Sequence, residues 1–123
     1  MKVLVADDSK VSRDIIVTHL KKMGFDEVDI ATDGTEVISM IKQLKGGAFY
    51  DVITLDVVMP KLDGIATIKE IKRLSPNTKI IMCSAANDTK TVYAAKDFGV
   101  HGYLLKPFTG EKLTEVLKES LLR

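Results

Sequence analysis

Val52-Ile53-Thr54-Leu55-Asp56 is the stretch that decides the fold: a run of apolar and β-branched residues that ends on a carboxylate. Such a near-continuous run is the pattern of a strand covered on both faces, and strands of that kind belong to parallel sheets wrapped by helices. Two more runs share the pattern. Val3-Leu4-Val5-Ala6 leads into Asp7-Asp8, and Ile80-Ile81-Met82-Cys83 leads into Ser84. These three predict central strands. Val28-Asp29-Ile30 alternates in polarity and Tyr103-Leu104-Leu105 is short before Lys106-Pro107, so both are expected at the sheet edges.

Helical patterns fill the intervals. The first helix, about Lys10 to Met23, should stop at Gly24, which tolerates the left-handed cap conformation. Within it, His19 falls on the apolar arc of Ile15, Ile16, Leu20 and Met23 and reads as a packing residue. Val37, Ile41 and Leu44 recur behind Asp33 and Glu36, which are spaced for a capping-box start. Ile65, Ile68 and Ile71 stripe a third helix, and Leu113, Val116 and Leu117 stripe the last. A further helix is expected from about Asp88 to Phe98. Gly46-Gly47 reads as a flexible loop and His101 as a turn residue before the last strand. Five βα units with right-handed crossovers give an α/β flavodoxin-like fold: a five-stranded parallel sheet in the order 2-1-3-4-5, with five helices on both faces. The predicted crevice lies between the first and third strands.

With 123 residues and 46% hydrophobic composition, the chain is expected to form one domain, 1–123, around one core. Its net charge of +1 carries no electrostatic footprint for nucleic acid. The lone Cys83 excludes an internal disulfide and a multi-cysteine zinc site, and it fits a reducing compartment such as the cytoplasm. Cys83 itself reads as a small buried hydrophobe. No stretch approaches the ~20 apolar residues of a membrane span, and Met1-Lys2 leads into a strand without a signal-peptide pattern.

The strand ends carry the chemistry. Asp7, Asp8 and Asp56 are expected to line the crevice, where two unit charges ~4 Å apart repel by ~4 kcal/mol at an effective dielectric of ~20. A cation is needed there. Oxygen-only ligation favours a hard ion such as Mg²⁺ over zinc. Ser84 and Lys106 leave the fourth and fifth strands on the far side of Asp56. A hydroxyl, an ammonium and a metal around one carboxylate oxygen can position a phosphoryl group and stabilise its equatorial oxygens. Each piece alone has a plainer reading, since Asp-Asp can cap a helix and Lys-Pro is usually a turn. Their agreement at the carboxyl ends of the right strands sets the combination apart.

In order and at ordinary spacing, VLVADDS (3–9), VITLDVVMPKLDG (52–64), IIMCSA (80–85) and HGYLLKPF (101–108) resemble the motifs of the receiver domain of bacterial response regulators, the chemotaxis regulator type in particular. The resemblance spans the whole chain. It implies Asp56 as phosphoacceptor, Asp8 as a direct Mg²⁺ ligand, Asp7 as a contributor largely through water, and the backbone carbonyl of Val58 as the remaining protein ligand. It implies further that Ser84 takes the hydroxyl role and Lys106 pairs with the phosphoryl group. Tyr103 falls where the family places its switch aromatic, and Lys106-Pro107 matches a bond that is typically cis. Val58 and Ala86 occupy positions resembling those that tune hydrolysis of the aspartyl phosphate, and neither side chain can orient water.

Two other classes share parts of this chemistry. Haloacid-dehalogenase-type phosphatases also use an aspartyl phosphate, but they carry a second Asp where this chain has Val58, and 123 residues leave no room for their cap. A phosphate-independent, receiver-like interaction module would not need the intact acidic pocket, Ser84 and Lys106. No Gly-rich phosphate loop follows the first strand, which removes nucleotide-binding readings. The expectation is therefore a signalling domain, not an enzyme acting on other substrates. It takes a phosphoryl group from a histidine kinase or phosphotransfer protein and changes a protein-binding surface made by the helix at about Asp88 to Phe98, the last strand and the last helix. Direct nucleic-acid and membrane contacts are not expected. No output domain follows Arg123, so a stand-alone regulator and a section of a longer chain both fit.

Overall fold

A computed structural model describes residues 1–57, 61, 64–85 and 96–122. Its elements run β1 (Lys2–Ala6), α1 (Lys10–Lys22), β2 (Glu27–Ala31), α2 (Gly34–Gln43), β3 (Val52–Asp56), α3 (Gly64–Leu74), β4 (Lys79–Ala85), β5 (Gly102–Lys106) and α4 (Gly110–Leu121). All strand pairs are parallel, and the order is β2-β1-β3-β4-β5, as expected from the run of buried and edge-like segments. Every residue of β3 is buried, whereas β2 is mostly open to solvent. Four helices lie among the described residues rather than five. The remaining expected helix, about Asp88 to Phe98, falls largely on 86–95, outside the described residues; Lys96 and Asp97 are helical.

Strand alternation builds two cores, one on each face of the sheet. Leu4, Ala6, Ile53, Leu55, Ile80 and Met82 turn toward α2 and α3, meeting Val37, Ile41, Ile68 and Ile71. Val3, Val5, Val52, Ile81, Cys83 and Leu104 turn the other way and meet Ile16, Leu20, Leu113 and Leu117 of α1 and α4. Burying a large aliphatic side chain is worth about 2 kcal/mol, so both layers are anchored by these contacts. Cys83 sits inside the second core, and burial pushes its thiol up to about 12, which keeps it an inert apolar residue at neutral pH.

Helix ends agree with their sequence signals. Gly24 closes α1 at φ 97°, and Asp33 caps α2 by accepting from the Glu36 N–H at 2.8 Å. The return arm of the expected capping box goes elsewhere: the Glu36 carboxylate accepts from the Thr32 hydroxyl at 3.3 Å. Hydrogen bonds from the Thr35 hydroxyl and the Glu36 N–H hold the Asp33 carboxyl below its usual range, assisted by the Lys61 ammonium at 3.5 Å.

One reading of a single residue is corrected and another is extended. Ile15 is 47% exposed, because the apolar stripe of α1 is narrower than its sequence arc and is filled by Ile16 and Leu20. His101 is more than a turn residue: its Nδ1 accepts from the Ile80 N–H at 3.2 Å, and its own N–H donates to the Ile80 carbonyl at 2.8 Å. The Ser120 hydroxyl donates to the His101 carbonyl at 3.2 Å, so this histidine ties the amino ends of β4 and β5 to the carboxyl end of α4. His19 is half-buried against Gly110, where an added Cβ would meet the ring at 2.6 Å, in keeping with a packing role.

Candidate functional site

Parallel strands deliver their last residues to one edge, and alternation then sorts them by face. In β1, β3 and β5 the α1/α4 face carries Val3, Val5, Val52 and Leu104, so by parity Asp7, Asp56 and Lys106 leave on that face. They meet there. Lys106 Nζ donates to Asp7 Oδ2 at 2.9 Å and to Asp56 Oδ2 at 3.2 Å, bridging two strands across the intervening β4. Asp7 is 1% exposed and Asp56 8%, while Asp8 is exposed at the rim. One carboxylate oxygen from each of Asp7, Asp8 and Asp56 lies within 4.8 Å of the others.

Among the described residues, three carboxylates meet one ammonium at a partly dry site. Burial alone would lower the Lys106 pKa, but its hydrogen bond to Asp7 and the charges of Asp56 and Asp7 outweigh burial and hold it above the ordinary lysine value. The ammonium stays charged at any physiological pH. The oxygen-only donor set and its spacing suit a hard divalent cation. The Lys106-Pro107 bond is cis, as expected.

The first turn of α1 braces this edge. Asp7 Oδ1 accepts from the Ser9 N–H at 2.9 Å, Ser9 caps the helix through the Ser12 N–H, and the Asp7 N–H donates to the Ala31 carbonyl at 3.1 Å. Arg13 Nη1 donates to the Asp7 carbonyl at 2.9 Å. Sequence reading missed Arg13. The available signal was a guanidinium one turn into the helix that follows two adjacent carboxylates.

Ser84 and Tyr103 leave the opposite face. Both share parity with the residues that pack on α2 and α3, and their hydroxyls are hydrogen-bonded to each other. Ser84 is buried and Tyr103 half-buried, its ring packed against the α2/α3 core. The ring is turned toward that core with the two hydroxyls paired, which gives the half-buried Tyr103 hydroxyl a polar partner. Val58 and Ala86 lie outside the described residues. Beside Lys106, a mainly apolar cavity of about 370 Å³ opens between Ser12, Ile15, Pro107 and Phe108. No described helix is long and apolar enough to cross a membrane.

Comparison with known proteins agrees with this geometry. The chain is 35% identical over 118 residues to the chemotaxis protein CheY of Thermotoga maritima, covering 96% of this chain and 95% of that protein. It is 32% identical over 120 residues to CheY of Bacillus subtilis, covering 98% and 97%. Its structure superposes with a TM-score of 0.90 on a chain from the CheX-CheY-BeF3-Mg+2 complex of Borrelia burgdorferi, at 28% identity and covering 100% of this chain and 90% of that one. Residues 3–118 match the family model described as the response regulator receiver domain, and the chain belongs to that family of two-component signalling domains.

Proposed function

We propose that Asp56 is the phosphoacceptor and that Asp7, Asp8 and Asp56 hold Mg²⁺ beside it, with the Val58 carbonyl as a further ligand. The observation that carries the reading is the buried Asp56 carboxylate, which shares the Lys106 ammonium with Asp7 in a cluster spaced for a divalent ion. A phosphoryl donor brings additional negative charge to a site already lined by three carboxylates. Mg²⁺, when bound, supplies the neutralisation that lets such a donor approach.

The donor is a phosphohistidine on a histidine kinase or phosphotransfer protein. An Asp56 carboxylate oxygen attacks phosphorus, the P–N bond to the imidazole breaks, and the departing imidazole takes up a proton from solvent. Lys106 keeps its proton throughout and moves its hydrogen bond from Asp56 to an equatorial phosphoryl oxygen. Ser84 offers a second donor once its hydroxyl is released from Tyr103. That exchange couples phosphorylation to the Tyr103 ring, and so to the surface formed by β5, α4 and the expected helix near 88–98. A shallow cleft already runs there between Lys96, Tyr103, Lys112 and Val116. It is the docking face we assign to the downstream protein. The Borrelia relative, seen with CheX, BeF3 and Mg²⁺, lends this scheme support.

Acetyl phosphate with Mg²⁺ should add one phosphoryl mass to the protein, and the addition should vanish in Asp56→Asn and in chelator. Undiminished labelling of Asp56→Asn overturns the acceptor assignment. Val58 and Ala86 offer no polar side chain to orient water, so the aspartyl phosphate is expected to be long-lived. Joint replacement Val58→Asn and Ala86→Glu should speed its decay; equal decay rates would remove the water-positioning argument.

A further inference from the structure

Arg13 stands outside the carboxylate cluster, yet it is tied to it through the backbone. Its Nη1 donates to the Asp7 carbonyl at 2.9 Å, while its Nε is buried without a partner. An unpaired buried donor is unfavourable, so the side chain is held in place against that cost for the sake of one main-chain contact. The contacted oxygen belongs to the peptide that joins Asp7 to Asp8. A peptide group is planar, so fixing this oxygen fixes the direction in which Asp8 leaves.

Asp7 does not depend on that contact for its own placement. Its N–H is bound to Ala31, and its two carboxylate oxygens accept from the Ser9 N–H and from Lys106. Asp8 differs. It is exposed at the rim, and among the described residues no side-chain hydrogen bond or ion pair holds it, so what the fold fixes of Asp8 is its backbone, and with it the region its carboxylate can reach.

We propose that Arg13 is a positioning residue for the divalent-ion site, locking the Asp7–Asp8 peptide so that Asp8 is held where its carboxylate can reach the ion. The proposal rests on the reading of Asp7, Asp8 and Asp56 as the ion's ligands. It separates cleanly from a purely electrostatic role. A guanidinium near a divalent cation repels it, so deleting the charge alone would strengthen binding. Deleting a positioning contact weakens it, in the way that supporting groups behind metal ligands commonly act.

The test uses the full chain and Mg²⁺ titrations followed by backbone amide NMR shifts, with Arg13→Met, Arg13→Gln and Arg13→Lys compared with the parent. Arg13→Met keeps the stem and loses both charge and donor, and its Mg²⁺ dissociation constant should rise about tenfold. Arg13→Gln removes the charge but keeps a donor, and Arg13→Lys keeps both; each should fall between Met and the parent. In metal-free protein the Asp8 amide, which belongs to the peptide that Arg13 holds, should shift in Arg13→Met while the Ser9 amide keeps its protection, a readout independent of the ion. Lys10→Ala, which removes only an exposed ion pair with Asp14, should leave Mg²⁺ affinity unchanged. Should Arg13→Met not fold, the Gln and Lys variants carry the comparison. Unchanged or tighter Mg²⁺ binding in Arg13→Met and Arg13→Gln overturns the proposal. If Asp8→Asn binds Mg²⁺ as well as the parent does, it is the ligand reading beneath the proposal that fails.

Discussion

The two faces of the sheet end differently at their carboxyl edge. On the α1/α4 face the strands finish in charge, with Asp7 and Asp56 joined through Lys106. On the α2/α3 face they finish in neutral hydroxyls, with Ser84 and Tyr103 bonded to each other. The separation follows from a period of two: Cys83 is the register partner of Asp56 and turns into the charged side, so its neighbour Ser84 must turn away. The charged and the hydroxyl groups are thus placed back to back across the sheet and packed against different cores. On the function proposed above, phosphate on Asp56 has to recruit a group from the other face to be felt there, and Ser84 at the end of the strand is the group we assign to that. The switch is then a population shift, driven only by the extra interaction that phosphate makes with one of two Ser84–Tyr103 arrangements.

The largest expected effect comes from breaking the charged side. Lys106→Met leaves two buried carboxylates without their cation. Removing one partner of a fully buried pair costs about 3–5 kcal/mol, and because the Lys106 side chain is a quarter exposed we expect about 2 kcal/mol. Urea unfolding in chelator should show the loss, and added Mg²⁺ should restore much of it by binding the native state alone. The pH dependence has a definite sign. Lys106 is held above its ordinary 10.5, so its contribution is fully present below that value and is lost as pH rises through the higher folded pKa. The parent should therefore shed stability above about 10.5 in a step that Lys106→Met lacks. Equal stability of the two proteins in chelator would mean that the charged face is not a coupled unit.

Breaking the neutral side should cost less and leave the chemistry intact. Tyr103→Phe removes one hydroxyl, Ser84→Ala the other, and a double-mutant cycle should return about 1 kcal/mol of coupling. Both variants should still take phosphate on Asp56 from acetyl phosphate. Binding of beryllofluoride should shift the Tyr103 ring signals in the parent and far less in Ser84→Ala. An unchanged Tyr103 environment in the activated parent, with partner affinity nevertheless raised, would show that the signal leaves by another route.

What was legible in the sequence follows from which physical rules are local. Strand centrality could be read because burial on both faces forces continuous apolar runs such as Val52–Leu55, and the strand order then followed from chain handedness. The gathering of Asp7, Asp8, Asp56 and Lys106 followed from parallel strands sharing an edge. Their division from Ser84 and Tyr103 needed the register and parity of each strand as well as its end. The Ser84–Tyr103 hydroxyl bond, the Arg13 contact and the triple tie at His101 depend on where side chains meet across elements 19, 6 and 21 residues apart, which no local period encodes. Ile15 misled because helical spacing marks an arc, while neighbouring elements decide how much of that arc is covered.

The smallest expected effect probes how far down the charged face its polarity extends. Thr54 lies on that face two residues before Asp56, paired in register with Val5 and Ile81, and is 1% exposed. Its hydroxyl has no hydrogen-bond partner. Lys106 serves Asp7 and Asp56, whereas Thr54 sits roughly 7 Å deeper along the strand, among aliphatic side chains. An unsatisfied buried hydroxyl costs about 1–3 kcal/mol, and valine matches threonine in shape while removing that cost. Thr54→Val should therefore raise stability by about 1 kcal/mol, read from the urea midpoint at unchanged slope, with acetyl phosphate labelling of Asp56 unaltered. The two readouts locate the boundary together. A gain in stability with normal labelling places the end of the polar edge at Asp56. A loss of either would mean that the hydroxyl serves the acceptor through a buried water, so that the charged face reaches one strand pair deeper than its side chains alone display.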